Sequence, residues 1–365
     1  MLNFNDIFVD DTKYGMKIPK EKYLSVGLYP VIDQSKEQIA GYTDESEGIY
    51  CDVPAIIFGD HTRIIKYIDV PFFLGADGTK LLKIKDNTAF NCKYLYYALS
   101  NAKIPNTGYN RHFKWLKELS FNIPSIEKQR EIADLMDIIV NLENLRKKQL
   151  EKLELFVKSR FIEMFGDPIR NDKELPIEPL GKHIELLGGF AFKSTGFAKE
   201  GIPVLRIGNI NAGYFRPDNL PFWKYDKALD RYLLYPGDLA ISLTGTVGKD
   251  DYGNICKLGN DYPRYYLNQR NAKLVLKETV LPEFITALLK NKKVKDKIIN
   301  TGVGVRQANI SNKSILELEV PIPNLVGQNQ FASFVTQVDK SKLAIQQSLD
   351  ELETLKKSLM QQYFG

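Results

Sequence analysis

Several short stretches of the chain gather side chains suited to hydrogen-bonding a base edge or a phosphate. Residues 301–311, TGVGVRQANIS, offer Arg306, Gln307 and Asn309 beside glycines that let a backbone approach closely. Arginine and glutamine carry paired hydrogen-bonding groups that match the edges of guanine and adenine. Residues 109–115, YNRHFKW, interleave basic and aromatic side chains. Tyr109, Asn110, Arg111, His112 and Lys114 are the candidates there, with Phe113 and Trp115 assigned to a core. His112 is read as a hydrogen-bonding partner, not a catalyst. The TGTVGK stretch supplies Thr244, Thr246 and Lys249 for phosphate contact. Arg206, Asn209 and Asn211 flank one strand-like end, and Gln34, Ser35, Tyr42 and Thr43 follow another. Each set also reads, more plainly, as a polar turn. Lys290, Lys292, Lys293, Lys295 and Lys297 are read as a solvated helix face.

Groupings that would do catalysis are missing. The run GTVGK at 245–249 lacks the leading glycine of a phosphate loop, and Asp250 stands where Ser or Thr would bind magnesium. The GVG at 302–304 has no third glycine for a dinucleotide turn. His61, His112 and His183 have no metal-binding spacing. Cys51, Cys92 and Cys256 lie far apart, which argues against a disulfide scaffold or zinc ribbon and for a reduced, cytoplasmic setting. No Asn/Asp-Pro-Pro-Tyr/Phe methyltransferase motif occurs, and Pro217-Asp218 has no D/E-x-K nearby to make a nuclease core. The chemistry on offer is binding, with catalysis and metal left to other chains.

Composition sets the frame for these residues. A length of 365 residues suggests two domains, and a 44% hydrophobic share with 20 Phe and 19 Tyr supplies material for two cores. The acidic start, MLNFNDIFVDD, does not read as a signal peptide, and no apolar run approaches the ~20 residues a membrane helix needs. Residues 1–122 carry 15 basic and 15 acidic groups, whereas residues 167–321 carry 23 and 18, so the whole net charge of +5 sits in the latter. A local basic excess favours a polyanion partner.

An internal repeat organises the chain. Residues 123–166 and 322–365, 44 each, align without a gap at an offset of 199, with eleven identical positions that include Pro124/Pro323, Gln129/Gln328, Phe165/Phe364 and Gly166/Gly365. Each copy reads as one long helix, capped by Ser125 or Asn324 and stopped at the glycine. Apolar positions alternate at four and three, the spacing of a coiled-coil seam. That seam runs through Ile132, Met136, Ile139, Leu150, Leu153 and Val157 in one copy. In the other it runs through Phe331, Val335, Val338, Ile345, Leu349, Leu352 and Leu359. Glu143, Arg146, Arg160, Lys342 and Lys356 interrupt it and are read as register pins or as a face for another protein. Each rod would be roughly 57 Å long, and the obvious partner of one rod is the other, antiparallel. The two remaining regions, 1–122 and 167–321, read as mixed and strand-rich, with helices at 92–103 and 282–300. The fold class is therefore α+β with tandem duplication and pseudo-two-fold symmetry. The second region is longer by about 30 residues, an excess placed mostly near its start.

The Ile-Pro-x-[Ile/Leu]-x-x-Gln start of each rod and the 199-residue repeat, together with PVIDQS, IAGYTDE, VPAIIFGD, YIDVPFF and YLYYAL, then GIPVLRIGNI, PGDLAISLTGTVGK, TGVGVRQANIS and LELEVPIP, resemble the specificity subunit of type I restriction–modification enzymes. The resemblance covers essentially the whole chain. It implies two target recognition domains, 1–122 and 167–321, each reading one half of an asymmetric bipartite site in double-stranded DNA. The spacer helices 123–166 and 322–365 would dock two modification (methyltransferase) subunits carrying S-adenosylmethionine. Restriction subunits using ATP and Mg would join that core, and no cofactor is expected in this chain. Gln129, Gln328 and the Phe-Gly ends are read either as contacts for those subunits or as local capping and packing. The first region departs from the pattern, lacking a clear match to LGKHIELLGGFAFKS of the second. The competing reading is a non-catalytic coiled-coil protein-interaction scaffold, which phosphate-driven salt dependence separates from a DNA reader.

Overall fold

A computed structural model describes residues 1–75, 77–302 and 307–365, and of Gln307 the backbone alone. Its longest elements are two helices of 40 residues each, Ile126–Phe165 and Leu325–Phe364, whose bounds repeat at the offset seen in the sequence. Ser125 Oγ accepts the Lys128 N–H at 3.4 Å and Asn324 Oδ1 accepts the Gly327 N–H at 2.9 Å, so both starts are capped as their residue types favour. Gly166 closes the first rod at φ +74°, a conformation glycine adopts without a Cβ penalty. No helix among the described residues is long and apolar enough to cross a membrane.

The chain divides into two compact units, Met1–Lys148 with Gln346–Gly365, and Gln149–Ile345. Each rod is thus shared between units. Both units carry the same scaffold. In the first, an antiparallel sheet runs Phe8–Asp10, Thr79–Ile84, Ala55–Gly59, Ile65–Ile68, and a smaller sheet runs Gly41–Thr43, Tyr29–Ile32, Phe73–Leu74. In the second, the matching orders are Ile184–Gly188, Asn271–Leu276, Leu239–Ser242, Ile255–Lys257, and Phe222–Trp223, Ile202–Leu205, Tyr265–Leu267, Leu233–Leu234. A parallel strand pairing recurs at the same place, Ile32 beside Leu74 and Leu205 beside Leu267. Strand Phe8–Asp10 is the counterpart of Ile184–Gly188, so the first region does have a partner for the LGKHIELLGG segment. The extra length of the second region is spread along the chain, before strand Ile177–Pro179, between strands Ile202–Leu205 and Leu233–Leu234, in the ribbon strand Thr244–Thr246 and in helix Lys292–Ile299, so most of it lies beyond the start.

Each core is completed by rod segments from both repeats. In the first unit Ile132, Ala133 and Met136 of one rod and Leu359, Met360 and Phe364 of the other pack with the helix Cys92–Asn101, Phe364 lying 5.1 Å from Tyr94. In the second, Phe161 and Phe165 meet Phe331 at 5.7 and 5.5 Å and Phe284 at 5.7 and 5.3 Å. Phe156 meets Phe334 edge-on at 4.9 Å. Within each unit, therefore, the two helices run antiparallel. Ile132, Met136, Ile139, Phe331 and Val338 are buried; Leu150, Leu153, Val157, Val335, Ile345, Leu349, Leu352 and Leu359 are half-buried. Among the polar interruptions, buried Glu143 accepts from Lys356 Nζ at 2.8 Å, which makes this pair a register pin.

Gln129 and Gln328 are fully buried and bonded alike. Gln129 accepts the Asn91 N–H at 2.8 Å and donates to the Ala89 and Pro124 carbonyls at 3.0 and 2.9 Å. Gln328 accepts the Leu281 N–H at 2.8 Å and donates to the Thr279 and Pro323 carbonyls at 3.1 and 2.9 Å. Of the two readings of this repeated glutamine, local packing holds: one side chain ties rod, Ile-Pro linker and domain helix together.

The sequence predicts one helix over 282–300, but the structure has two, Pro282–Lys290 and Lys292–Ile299. Asn291 leaves helical geometry at ψ 125° and its side chain accepts the Lys293 N–H at 3.0 Å, a cap that competes with helix continuation. The lysines of this segment are largely paired, Lys292 with Asp296, Lys293 with Asp167, and Lys295 with Asp250 and Asn254. After the first rod, the Lys293 ammonium, helped by the Ile169 and Arg170 N–H groups, holds the Asp167 carboxyl well below its ordinary range.

Replacing Gln129 by Leu keeps the volume and orphans one buried N–H and two carbonyls; we expect a loss of about 2–4 kcal/mol in the denaturant midpoint analysis, and the same for Gln328→Leu. A depressed folded-state carboxyl stabilises the fold above the unfolded value of 3.8 and loses that contribution as pH falls below it. Asp167→Asn is therefore expected to melt below the unmutated chain at neutral pH, with the gap narrowing in acid melts below that value.

Candidate nucleic-acid interface

In the second unit a cleft of about 750 Å³ lies where the parallel strands Ile202–Leu205 and Tyr265–Leu267 end. Arg206, Arg216, Asn219, Gln269 and Arg270 line it with their neighbours, and all five are exposed. None of the three arginines forms an ion pair among the described residues, although the Asp218 carboxylate lines the same cleft. Arg206 Nη2 donates to the Asn219 carbonyl at 3.4 Å and Arg216 Nη2 to the Tyr214 hydroxyl at 3.0 Å, which orients both guanidiniums without neutralising them.

Asn209 supports this cleft from beneath. It is buried, its Oδ1 accepting the Arg206 N–H at 3.0 Å and its Nδ2 donating to the Arg216 and Asp218 carbonyls at 3.0 and 2.9 Å. The DNA-contact expectation for Asn209 is therefore corrected: its side chain is consumed in holding the loop. Asn211 is half-buried, and its carbonyl accepts Asn254 Nδ2 at 2.7 Å.

The structure brings two sequence-predicted loops together as one ribbon. Strand Thr244–Thr246 pairs antiparallel with Gln307–Asn309. A two-stranded ribbon is one of the elements the major groove admits. Thr244 is buried and donates to Asn309 Oδ1 at 2.8 Å, so it is withdrawn as a phosphate contact and serves to close the ribbon. Thr246 Oγ1 donates to Asp251 at 3.0 Å, and Lys249 and Asn309 are exposed. Gly245 suits its place, since a Cβ there would stand 2.6 Å from the Cβ of Tyr252. Arg306 and the Gln307 side chain lie outside the described residues.

In the first unit the loop before helix Phe113–Lys117 presents Tyr109, Asn110 and Arg111 to solvent, Tyr109 with 88% of its surface exposed, and the helix itself presents Lys114. Tyr109 stacks on His61 at 4.8 Å, with the ring planes 9° apart. Asn110 Nδ2 donates to the Thr107 carbonyl. His112 is fully buried and is corrected as a DNA contact. Its Nδ1 lies 3.0 Å from the Asp60 carbonyl, which only accepts, so Nδ1 carries the proton. Gln34 bridges the neighbouring turns, accepting the His61 N–H at 3.1 Å and donating to the Asp77 carbonyl at 2.9 Å. Asp77 pairs with Lys17 at 2.6 Å, and that ammonium, with a smaller pull from Arg111, keeps its carboxyl below the ordinary value.

Sequence reasoning missed Gln269, Arg270, Arg216, Asn219 and His61. A signal existed for the first two: Asn-Gln-Arg stands between the strand-like runs YYL and NAKLVLK, the same residue types as in the Arg306 loop.

Comparison with known proteins agrees with this layout. The family model described as type I restriction modification DNA specificity domain matches residues 3–155 and again 184–354. The type I restriction enzyme MjaVIII specificity subunit of Methanocaldococcus jannaschii is 24% identical over 265 residues, 68% of this chain and 61% of that subunit. The chain thus matches less than two thirds of that relative's length. Among solved structures, the S subunit of a type I restriction–modification system from M. genitalium superposes over 100% of this chain and 95% of its own, with a TM-score of 0.62 at 17% identity. A chain from work on complex assembly and conformational transition of the type I R-M system superposes over 100% and 96%, with a TM-score of 0.55 at 15% identity. At these identities the structural likeness speaks for the fold alone. A repeated family match that follows the repeated scaffold carries the assignment: the chain belongs to the type I restriction modification DNA specificity family.

Proposed function

We propose that this chain selects the DNA sequence on which a type I restriction–modification complex acts. The observation that carries the reading is the double match to the DNA specificity family, one match for each copy of a duplicated scaffold. Each unit reads one half of a bipartite site. Dissimilar reading surfaces on a shared scaffold make that site asymmetric. In the second unit the readers are the Thr244–Asn309 ribbon and the arginine cleft. In the first they are the Tyr109–Arg111 loop, Lys114 and their neighbours.

The chain does no chemistry on DNA in this proposal. Two modification subunits dock on the rods and bring S-adenosylmethionine, restriction subunits bring ATP and Mg, and the assembly works in the cytoplasm. Exposed rod residues outside the seam, such as Ile138, Leu142 and Leu145, are the natural contacts for those partners.

The test is enrichment of bound duplexes from a random pool by the chain co-expressed with its modification subunit, washed at moderate salt. A split motif with a fixed spacer is the expected result. A folded complex that enriches nothing would favour the protein-only scaffold. In the same assay Gln269→Ala is expected to relax one position of one half-site, by about 1–3 kcal/mol of discrimination, and to leave the other half-site as it was.

A further inference from the structure

The two units present topologically equivalent turns with opposite charge. Both turns leave the same parallel strand pair, since the Gly75 N–H bonds the Ile32 carbonyl at 2.7 Å and the Asn268 N–H bonds the Leu205 carbonyl at 3.3 Å. In the second unit the residues leaving these strands are Arg206 and Arg270, joined by Arg216 across the cleft. In the first unit the residues at the same steps from the parallel strands are Asp33 and Asp77, in a turn one residue longer.

The ion pairs deepen the contrast. Around the first unit's turn three lysines are already neutralised, Lys17 by Asp77 at 2.6 Å, Lys66 by Asp33 at 3.8 Å and Lys80 by Asp10 at 2.9 Å, which leaves Arg111 of the neighbouring loop, near enough to pull on Asp77, as an exposed cation beside it. The three arginines of the second unit have no carboxylate partner among the described residues. Net charge follows the same division, zero over residues 1–122 and +5 over residues 167–321. A phosphate approaching the first turn meets Asp77, 93% exposed, and no uncompensated cation among the turn's own described residues, Arg111 standing on the neighbouring loop.

We propose that the second unit is the electrostatic anchor on DNA, through Arg206, Arg216 and Arg270, and that the first unit engages its half-site with little phosphate neutralisation at the matching turn. This inference rests on the DNA-specificity reading. Phosphate contacts release counterions, so most of the salt dependence of binding belongs to the second unit. The first unit selects by shape and base-edge contact, and it finds its half-site after the second unit has held the duplex.

The experiment is the slope of log affinity against log salt for the full chain in complex with its modification subunits, on a long mixed-sequence duplex. A triple variant, Arg206→Gln, Arg216→Gln and Arg270→Gln, is expected to flatten the slope by about 2–3, since each phosphate contact contributes about 0.9. Asp77→Arg, which turns the first unit's acidic turn basic, is expected to steepen it by about 1. The corresponding triple lysine variant restores the slope if charge is the cause and folding is intact. A triple glutamine variant with an unchanged slope, or an Asp77→Arg variant that binds more weakly, overturns the division. If the unmutated complex shows no salt-dependent binding at all, the DNA-specificity reading falls first and takes the division with it.

Discussion

The architecture depends on two buried glutamines. Gln129 and Gln328 each bridge the first turn of a rod, the Ile-Pro linker before it and the start of the unit's own helix. Three hydrogen bonds from one amide leave the joint little freedom, because breaking it exposes polar groups in a place that water does not reach. The aromatic packing beside each glutamine then admits the end of the other rod: Phe364 against Tyr94, Phe165 against Phe284 and Phe331. Each unit therefore holds the start of one rod and the end of the other. Neither core is complete without a segment from the distant repeat.

A rigid joint suits the proposed reading of a split DNA site, because recognition of separated half-sites depends on fixed geometry as much as on local contacts. The same logic explains which polar residues the candidate contact surfaces keep. His112, Asn209 and Thr244 have the residue types of base readers, yet each is buried and spends its hydrogen bonds on the loop that carries the exposed ones. In the second unit Arg206, Arg270 and Lys249 remain exposed, and in the first Tyr109 and Arg111 do. Duplication supplied one scaffold twice, and the turns diverged in charge while strand order and the parallel pairing stayed the same.

The repeat, the rods and their caps were legible in the sequence because these signals are local or periodic. Helical spacing, a capping residue and a terminal glycine act within a few positions of themselves. The break at Asn291 was not, since a single side-chain cap outweighed a continuous apolar pattern. The pairing of Thr244–Thr246 with Gln307–Asn309 was not either, since the two strands lie some 60 residues apart and their short polar sequences carry no strand signal.

The sequence by itself determined the duplicated α+β plan, the seam that pairs the rods, and the residue types available for contact. Only the tertiary structure decided which of those residues are free. The exchange of rod ends, the Asn101 bond to the Phe364 carbonyl across 263 positions, and the choice of Asp33 and Asp77 opposite Arg206 and Arg270 all rest on contacts between distant positions. Burial is a property of the packed core, and a polar side chain's role follows from what that core leaves exposed.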